Sequence, residues 1–488
     1  MAKTTARKKR STKKTSRAKA KRSTNRGSRS PAELAYDAAE SNTQRQQPSI
    51  TLKSTDNLLT PTKRKRLQSK ARHLQENFSI AAWAIRRHLD YVSSFSFQAQ
   101  TGNPALDFEL EQLVEWYSRA DNCDVTGRHT LPRLIRLAEE RRTVDGDVFL
   151  VKLSNGRLQA IEGDRVRDPE RANGNATSRV RWVHGVRLGA SGRPRSIAVH
   201  KRTDRGTYEH ERNVPARNFY QLGYYDRFDQ VRGVSPLAPA IKTFQDVYEG
   251  FDFALAKMKV AQLLGLVFYR EAAEPVTLPS ATSDDEAPTD PAGNSYAIDF
   301  GKGPIALDLD PGDKAEFIEP KTPPAEFQNF STVMIAAALK SLDIPLSMYD
   351  EAHTNYSGAR SALIHYQRSV KTKADHLREI LNRITGWRIR MAIAEGDLLV
   401  PAGASLRFDW IPAGVPWFDP TKEIAGDIAA INAGLTTRSQ VIKERHGRDF
   451  RDVIDQLASE QEYINAAGLV LNETQFETAD NPSEEIDE

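Results

Sequence analysis

The sequence predicts an α+β protein with a largely helical second half, and three observations carry that expectation. Apolar residues recur three and four apart through residues 67–92 (Leu67, Ala71, Leu74, Phe78, Ile85, Leu89, Val92), the spacing of one helix face. Between residues 147 and 222 the period changes to alternation, with Gly, Asn and Asp between the segments, as in strands joined by turns. After residue 235 three long helical patterns follow, and the middle of the second, residues 333–339, is apolar on nearly every face. A helix apolar on nearly every face is expected to be buried between neighbours.

The elements follow in order. Helices are expected at 67–92, at 104–120 and from about 131 with Leu134, Ile135 and Leu137 inward. Strands are expected at 147–153, 157–161, 179–188, 196–200 and 214–222, so that 62–232 reads as one α+β unit. The next helix is expected to open at Ser235-Pro236, because Ser caps well and Pro suits a first turn. It carries Ile241, Phe244, Tyr248, Phe251, Leu255 and Met258 to about 264. An insert at 265–322 follows, with short strand-like pieces at 266–269, 295–300, 304–309 and 315–318 around a Pro/Ser/Asp/Thr-rich centre. Four short strands make a marginal core, so the insert is expected to lean on a neighbouring subunit. A helix after Pro323-Pro324 ends before Pro345, and a longer one runs from about 358 to 385 with Arg360, Arg368, Lys371, Lys373, Arg378 and Arg383 along it. Residues 396–417 return to strand and loop, and 419–470 are helical again.

Composition bounds the function. The 488 residues suffice for two to four packed units, and 39% are hydrophobic. No apolar run approaches the roughly 20 residues of a membrane helix, and the polar N-terminus has no secretory pattern, so no membrane partner is expected. A single cysteine, Cys123, permits neither an internal disulfide framework nor a Cys-based zinc site. The net charge of +4 hides a division. Residues 1–30 hold thirteen Lys/Arg and no acid, which leaves 4 − 13 = −9 for residues 31–488. Residues 472–488 hold seven Asp/Glu and no base. The basic segment has no hydrophobic period and is expected to be a disordered arm, with a weakly patterned linker to 61. Its charge suits a nucleic acid or an acidic partner, or simply a solvated tail.

Catalytic and metal motifs are absent or weak. Gly301-Lys302 lacks the following Ser/Thr of a phosphate-binding loop. Asp308-Leu-Asp310-Pro-Gly-Asp313 lacks the distal Glu of a calcium loop and reads as an acidic turn. His365 and His376 read as helix-surface residues, and no Gly-x-Ser-x-Gly elbow occurs. Cys123 reads as a small buried thiol. No cofactor, metal or enzymatic activity is therefore expected.

Several stretches, in order, resemble the lambda-type family of phage portal proteins. Arg72-His-Leu-Gln-Glu-Asn77-Phe-Ser-Ile-Ala81-Ala-Trp-Ala-Ile resembles its opening wing helix. Residues 158–169, with Asp164-Arg-Val166, resemble its strand and turn, and Val231-Arg-Gly-Val-Ser-Pro-Leu-Ala-Pro239 its entry to the stem. Ile344-Pro-Leu-Ser-Met-Tyr-Asp350 followed by Asn355-Tyr-Ser-Gly-Ala-Arg360 is similar to its tunnel-loop region, and Trp417-Phe-Asp-Pro420 with Ala433-Gly-Leu-Thr-Thr-Arg438 to its C-terminal signature. The likeness spans residues 67–469 and leaves out the basic arm, the centre of the insert and the acidic tail.

That resemblance implies a portal fold: a wing at 62–232 with a return within 358–418, stem helices at 233–264 and 323–348, a clip at 265–322, a tunnel loop at 349–357, a crown at 419–470 and an acidic tail at 471–488. It implies a homo-oligomeric, twelvefold ring at one capsid vertex. Its partners would be duplex DNA passing through, the terminase large subunit, then head-completion or tail-connector proteins, with major capsid and scaffold proteins around it. Its place would be the virion, after assembly in the host bacterial cytoplasm. His353, Thr354, Asn355, Tyr356 and Ser357 would line the bore, and Val333, Met334 and Ala337 would pack subunit against subunit. The same composition leaves room for another ring or collar component of a virion, and for a nucleic-acid enzyme with a basic arm, although no clustered metal ligands or nucleophile support the latter.

Overall fold

The computed structural model of the chain describes residues 53–169, 181–263, 266–270, 313–317, 325–350, 356–414 and 420–468. A short helix α1 (Thr55–Leu58) precedes α2 (Pro61–Asn77) and α3 (Ser79–Val92). Thr60 caps α2 through its hydroxyl, with Pro61 in the first turn. The single helix expected at 67–92 is broken at Phe78, whose extended backbone (φ −115°, ψ 108°) ends α2 and begins α3. The break keeps the four-residue spacing of the apolar stripe, and Phe78 packs on Phe244 and Tyr248 at centroid distances of 6.1 and 5.3 Å. The body also begins earlier than residue 62: Asp56 of α1 is buried and accepts the Val231 N–H at 3.0 Å.

Next come β1 (Phe95–Ala99), α4 (Pro104–Ser118), the short α5 (Ala120–Cys123) and α6 (Leu131–Asp145). The central strand β2 (Asp147–Lys152) pairs antiparallel with β3 (Leu158–Glu162) and β8 (Phe219–Gly223). Both faces of β2 are covered. Val148 and Leu150 join the core formed by α4, α6 and the long helix of the second half, whereas Phe149 and Val151 join a second core under a four-stranded sheet. That explains the continuous apolar run Val148–Val151 in place of alternation.

The four-stranded sheet has the order β4 (Arg181–Val183), β5 (Val186–Leu188), β6 (Pro194–Arg202), β7 (Tyr208–Pro215). The strand expected at 179–188 is a hairpin: His184 (φ 50°) and Gly185 (φ 86°) turn the chain between β4 and β5, with positive φ at both central residues as in a type I′ turn. The strand expected at 214–222 is likewise divided, because a 3-10 turn at Ala216–Asn218 separates β7 from β8.

In the second half, α7 (Ile241–Leu263) starts six residues after Ser235. Ser235 still caps, but it caps a turn: its Oγ accepts the Leu237 N–H at 3.1 Å and donates to the Thr143 carbonyl at 2.6 Å. The insert shows the two outer expected strands, β9 (Leu266–Arg270) and β10 (Asp313–Phe317), paired antiparallel. The expected pieces at 295–300 and 304–309, and the turn at 308–312, lie outside the described residues. After α8 (Ala325–Leu339) a 3-10 turn ends at Asp343 (φ 64°). Helix α9 (Tyr356–Glu395) is 40 residues long and ends ten residues beyond the expected 385. Strand β11 (Phe408–Pro412) returns to pair with β1, and α10 (Pro420–Asn432), α11 (Arg438–His446) and α12 (Phe450–Ala466) complete the chain. Among the described residues no helix is long and apolar enough to cross a membrane.

Candidate channel and subunit-packing surfaces

Helix α8 has two apolar stripes. Ile335, Ala338 and Leu339 face inward and are at most 2% exposed, in a core with α2, α3 and α7. Phe330, Val333 and Ala337 are spaced three and four apart, so they share another face. Phe330 is 62% and Val333 66% exposed, and Ala337 is exposed beside them. Met334 lies between the stripes, half-buried against the core. The expectation that residues 333–339 are buried on all sides is therefore corrected for the single subunit. One side packs within the chain because α7 and α2–α3 cover only that side. Helix α7 behaves in the same way: Phe244 and Val247 are buried, but Phe253 is 74% and Leu255 50% exposed. Phe251 of α7 and Phe327 of α8 meet edge to face at 6.0 Å and tie the pair together.

The segment between α8 and α9 is anchored at its start. Asp343, in a left-handed conformation, stops the helix. Its carboxylate accepts from Ser369 Oγ at 2.5 Å and Lys373 Nζ at 2.9 Å, both on α9. Burial opposes ionisation of Asp343, but these hydrogen bonds and the Lys373 charge hold its pKa below the usual carboxylate range. Tyr349 then stacks edge to face on Trp83 of α3 at 5.9 Å. His353, Thr354 and Asn355 lie outside the described residues. Tyr356 and Ser357, expected in the loop, are instead the first two residues of α9. The backbone is therefore helical from Tyr356 onward, which shortens the expected loop at its end.

The stem-entry phrase 231–237 is held by a buried charged cluster that sequence reading missed. Arg232 is 1% and the Asp147 side chain 0% exposed. Arg232 Nε donates to Asp147 Oδ2 at 2.5 Å and Nη2 to Oδ1 at 2.9 Å. The guanidinium also donates to the carbonyls of Gly163 (2.7 Å), Val166 (3.0 Å) and His184. Arg64 of α2 donates to Asp147 Oδ1 at 2.8 Å, and the Gly233 N–H to Oδ2 at 3.2 Å. Burial opposes the charge on Asp147, but the two arginines outweigh it and its pKa is lowered. Burial, with the neighbouring Arg232 charge, brings Arg64 down to about 10. The only available signal was a lone arginine between Val231 and Gly233, a pattern that reads equally well as an exposed turn.

A second buried group lies beside it. Glu139 and His88 are fully buried, with His88 Nε2 2.9 Å from Glu139 Oε1. Tyr224 donates to the same oxygen at 2.7 Å, and Arg142 Nε is 2.8 Å from Oε2. Elsewhere, His365 and His376 are exposed on α9. Cys123 is buried and burial pushes its thiol up to about 12, which fits a packing role. Among the described residues no group of three His, Cys, Asp or Glu side chains is placed to hold a metal ion.

Compared with known proteins, residues 42–373 match the family model described as phage portal protein, lambda family. The chain belongs to that family. A probable portal protein of Halomonas phage phiHAP-1 is 26% identical over 390 residues, spanning 74% of this portal chain and 71% of the relative. Solved structures similar to this portal chain include the virion of a native gene transfer agent (GTA) particle, 12% identical, covering 78% of this chain and 98% of that one with a TM-score of 0.47. Another is the neck of an empty GTA particle computed with C6 symmetry, 13% identical, covering 77% and 92% with a TM-score of 0.48. The phrases 231–239 and 344–360 both fall within the matched residues, so Arg232, Gly233 and the α8–α9 connection belong to the family region of the chain.

Proposed function

We propose that this portal chain closes into a homo-oligomeric ring, twelvefold as in the family it resembles, at one vertex of a phage capsid. Duplex DNA enters and leaves through its centre. The observation that carries the reading is the outward stripe Phe330, Val333 and Ala337 on α8, beside Phe253 on α7. At about 25 cal/mol per Å2, apolar surface of this kind is stabilising only when a neighbour covers it. Two different surfaces of one chain that are complementary to each other generate a ring when the rotation closes. In this reading α7 and α8 are the stem, 62–232 with part of 358–418 the wing, and α10–α12 the crown.

The β9–β10 hairpin is the root of the clip, which docks the terminase large subunit during packaging and head-completion or tail-connector proteins afterwards. Major capsid and scaffold proteins meet the outer surface of the ring, which is assembled in the bacterial cytoplasm and retained in the virion. The bore is lined by His353, Thr354 and Asn355, with Tyr356 and Ser357 at the head of α9. Small polar side chains suit a sliding contact, because a basic bore would grip a duplex that carries one charge per ~1.7 Å. The net −9 of residues 31–488 supports the same requirement. Negative-stain electron microscopy of the purified protein tests the reading. Rings with a central hole are expected, and a folded monomer at high concentration by light scattering overturns it.

A further inference from the structure

We propose that one end of the β4–β7 sheet is a docking surface for the phosphate backbone of duplex DNA, separate from the bore. Residues 181–217 hold nine Lys/Arg and three Asp/Glu, a net of 9 − 3 = +6, whereas residues 31–471 together net −9 + 7 = −2. Strand register shows that the charges are sorted. Arg181 lies opposite Leu188, and Leu188 opposite Pro194. Ser196 lies opposite both Arg187 and Pro215. Arg181, Arg187, Arg193, Arg195 and, two residues beyond β7, Arg217 therefore gather at one end of the sheet. All five are exposed. The three acids lie away from that end among the other four cations, Lys201, Arg202, Arg205 and Arg212: Glu209 opposite Lys201, Glu211 paired with Arg165 and Arg212, and Asp204 in the β6–β7 turn.

Val186 and Leu188 are buried, so Arg187 between them points outward. It lies directly across from Trp182. Like charges gathered at one end of a sheet repel one another, even where none is directly opposite another. Among the described residues none of these five arginines has a carboxylate to offset that cost. An external anion offsets it, and the guanidinium fork matches phosphate. Four strands at about 4.8 Å spacing span about 14 Å. That is close to the ~12 Å width of a major groove, so a duplex laid against this end of the sheet brings phosphates within reach of its arginines. The choice of duplex DNA as the polyanion rests on the portal reading; the surface itself rests on the register and exposure. The alternative occupant is the acidic segment 472–488 of this chain.

The test is fluorescence anisotropy of the full-length protein with a labelled 20-base-pair duplex across a salt series. The variants are Arg187→Glu/Arg193→Glu/Arg195→Glu and the matching triple Arg→Ala and Arg→Lys sets. Both the Glu and Ala sets are expected to weaken binding by about tenfold or more near 0.1 M salt. They are expected to flatten the slope of log K against log salt by about 2–3, with the Lys set close to the parent. Unchanged affinity and slope in correctly assembled Glu and Ala variants overturns the proposal. So does loss of binding to a labelled 472–488 peptide while duplex binding persists, since the partner is then the tail. Imaging the same samples for rings separates this outcome from failure of the portal reading.

Discussion

Arg232 and Asp147, 85 residues apart in sequence, meet as a two-pronged ion pair with both side chains sealed from water. The pair joins the first turn of β2 to the segment that leads into α7, and Arg64 brings in α2. Removing one member leaves a buried charge unpaired. Arg232→Met and Asp147→Asn are each expected to cost about 3–5 kcal/mol in chemical denaturation. Arg232→Lys is expected to lose most of the same stability, because one ammonium cannot serve two carboxylate oxygens and three carbonyls.

The backbones of Gly146 and Gly233 cross in contact at this point. A Cβ on Gly233 would collide with the Gly146 carbonyl oxygen, and one on Gly146 would lie 2.7 Å from the Gly233 oxygen and 2.8 Å from the Ser235 nitrogen. Gly233→Ala is expected to destabilise by about 2 kcal/mol or more and to lower the yield of assembled rings. Gly192→Ala, an open position whose positive φ alone is strained, is expected to cost only about 1 kcal/mol.

Acid is expected to loosen the subunit in two stages. Burial pulls the His88 pKa below its ordinary value despite the Glu139 carboxylate beside it. The unfolded chain therefore takes up this proton first, near pH 6.5. Stability is full above that value and falls toward the lower folded value, by about 1.4 kcal/mol per pH unit for one proton. Burial opposes ionisation of Glu139, but Arg142, His88 and Tyr224 hold it down to about 2. Its contribution is present above the unfolded value of about 4.3 and is lost as pH falls to about 2. Denaturation midpoints at pH 8, 6 and 5 are expected to fall for the parent, and to fall less over that range for His88→Gln.

Ala337→Asp separates folding from assembly. The side chain is exposed on the subunit, so far-ultraviolet circular dichroism and the melting temperature are expected to stay near the parent. Light scattering is expected to show monomers, because twelve uncompensated charges would be buried in the closed ring. Ile335→Asp, on the inward stripe, is expected to unfold the subunit instead.

Asn355→Lys with Ser357→Lys is expected to leave the ring intact and to slow or stall DNA packaging through added phosphate contacts. An in vitro packaging assay reads this directly, with added salt restoring part of the rate.

Local pattern made much of this fold legible. The three-and-four spacing marks α4, α6 and α7, and the outer strands of the insert were visible as β9 and β10. What stayed hidden depends on distant partners. β1 pairs with β11 more than 300 residues away; Phe95-Ser-Phe97-Gln-Ala99 alternates, but five residues directly after a helix identify no partner, and β11 lies in a stretch read only as strand and loop. β7 is polar on both faces and lies at the edge of its sheet, so Tyr208–Pro215 shows no burial period. Gly386 reads as a helix stop, yet α9 runs through it because Ile384, Ile389 and Ala392 are buried on either side. Of the expected packing residues, Val333 and Ala337 form one outward face with Phe330, whereas Met334 turns toward the core. The buried ions Arg232, Asp147, Arg64, His88 and Glu139 look like surface residues in sequence, because only tertiary structure supplies their partners.

Helix α9 belongs to three packed groups at once. Tyr366 lies in the core of α2, α3, α7 and α8; Leu377, Leu381 and Ile384 lie against β2 and α6; and Ile389 and Ala392 lie against α4. At 1.5 Å per residue its 40 residues form a strut about 60 Å long. Because it is packed sideways at three places along that length, a displacement of its first turn is expected to be shared among all three packed groups rather than confined to one.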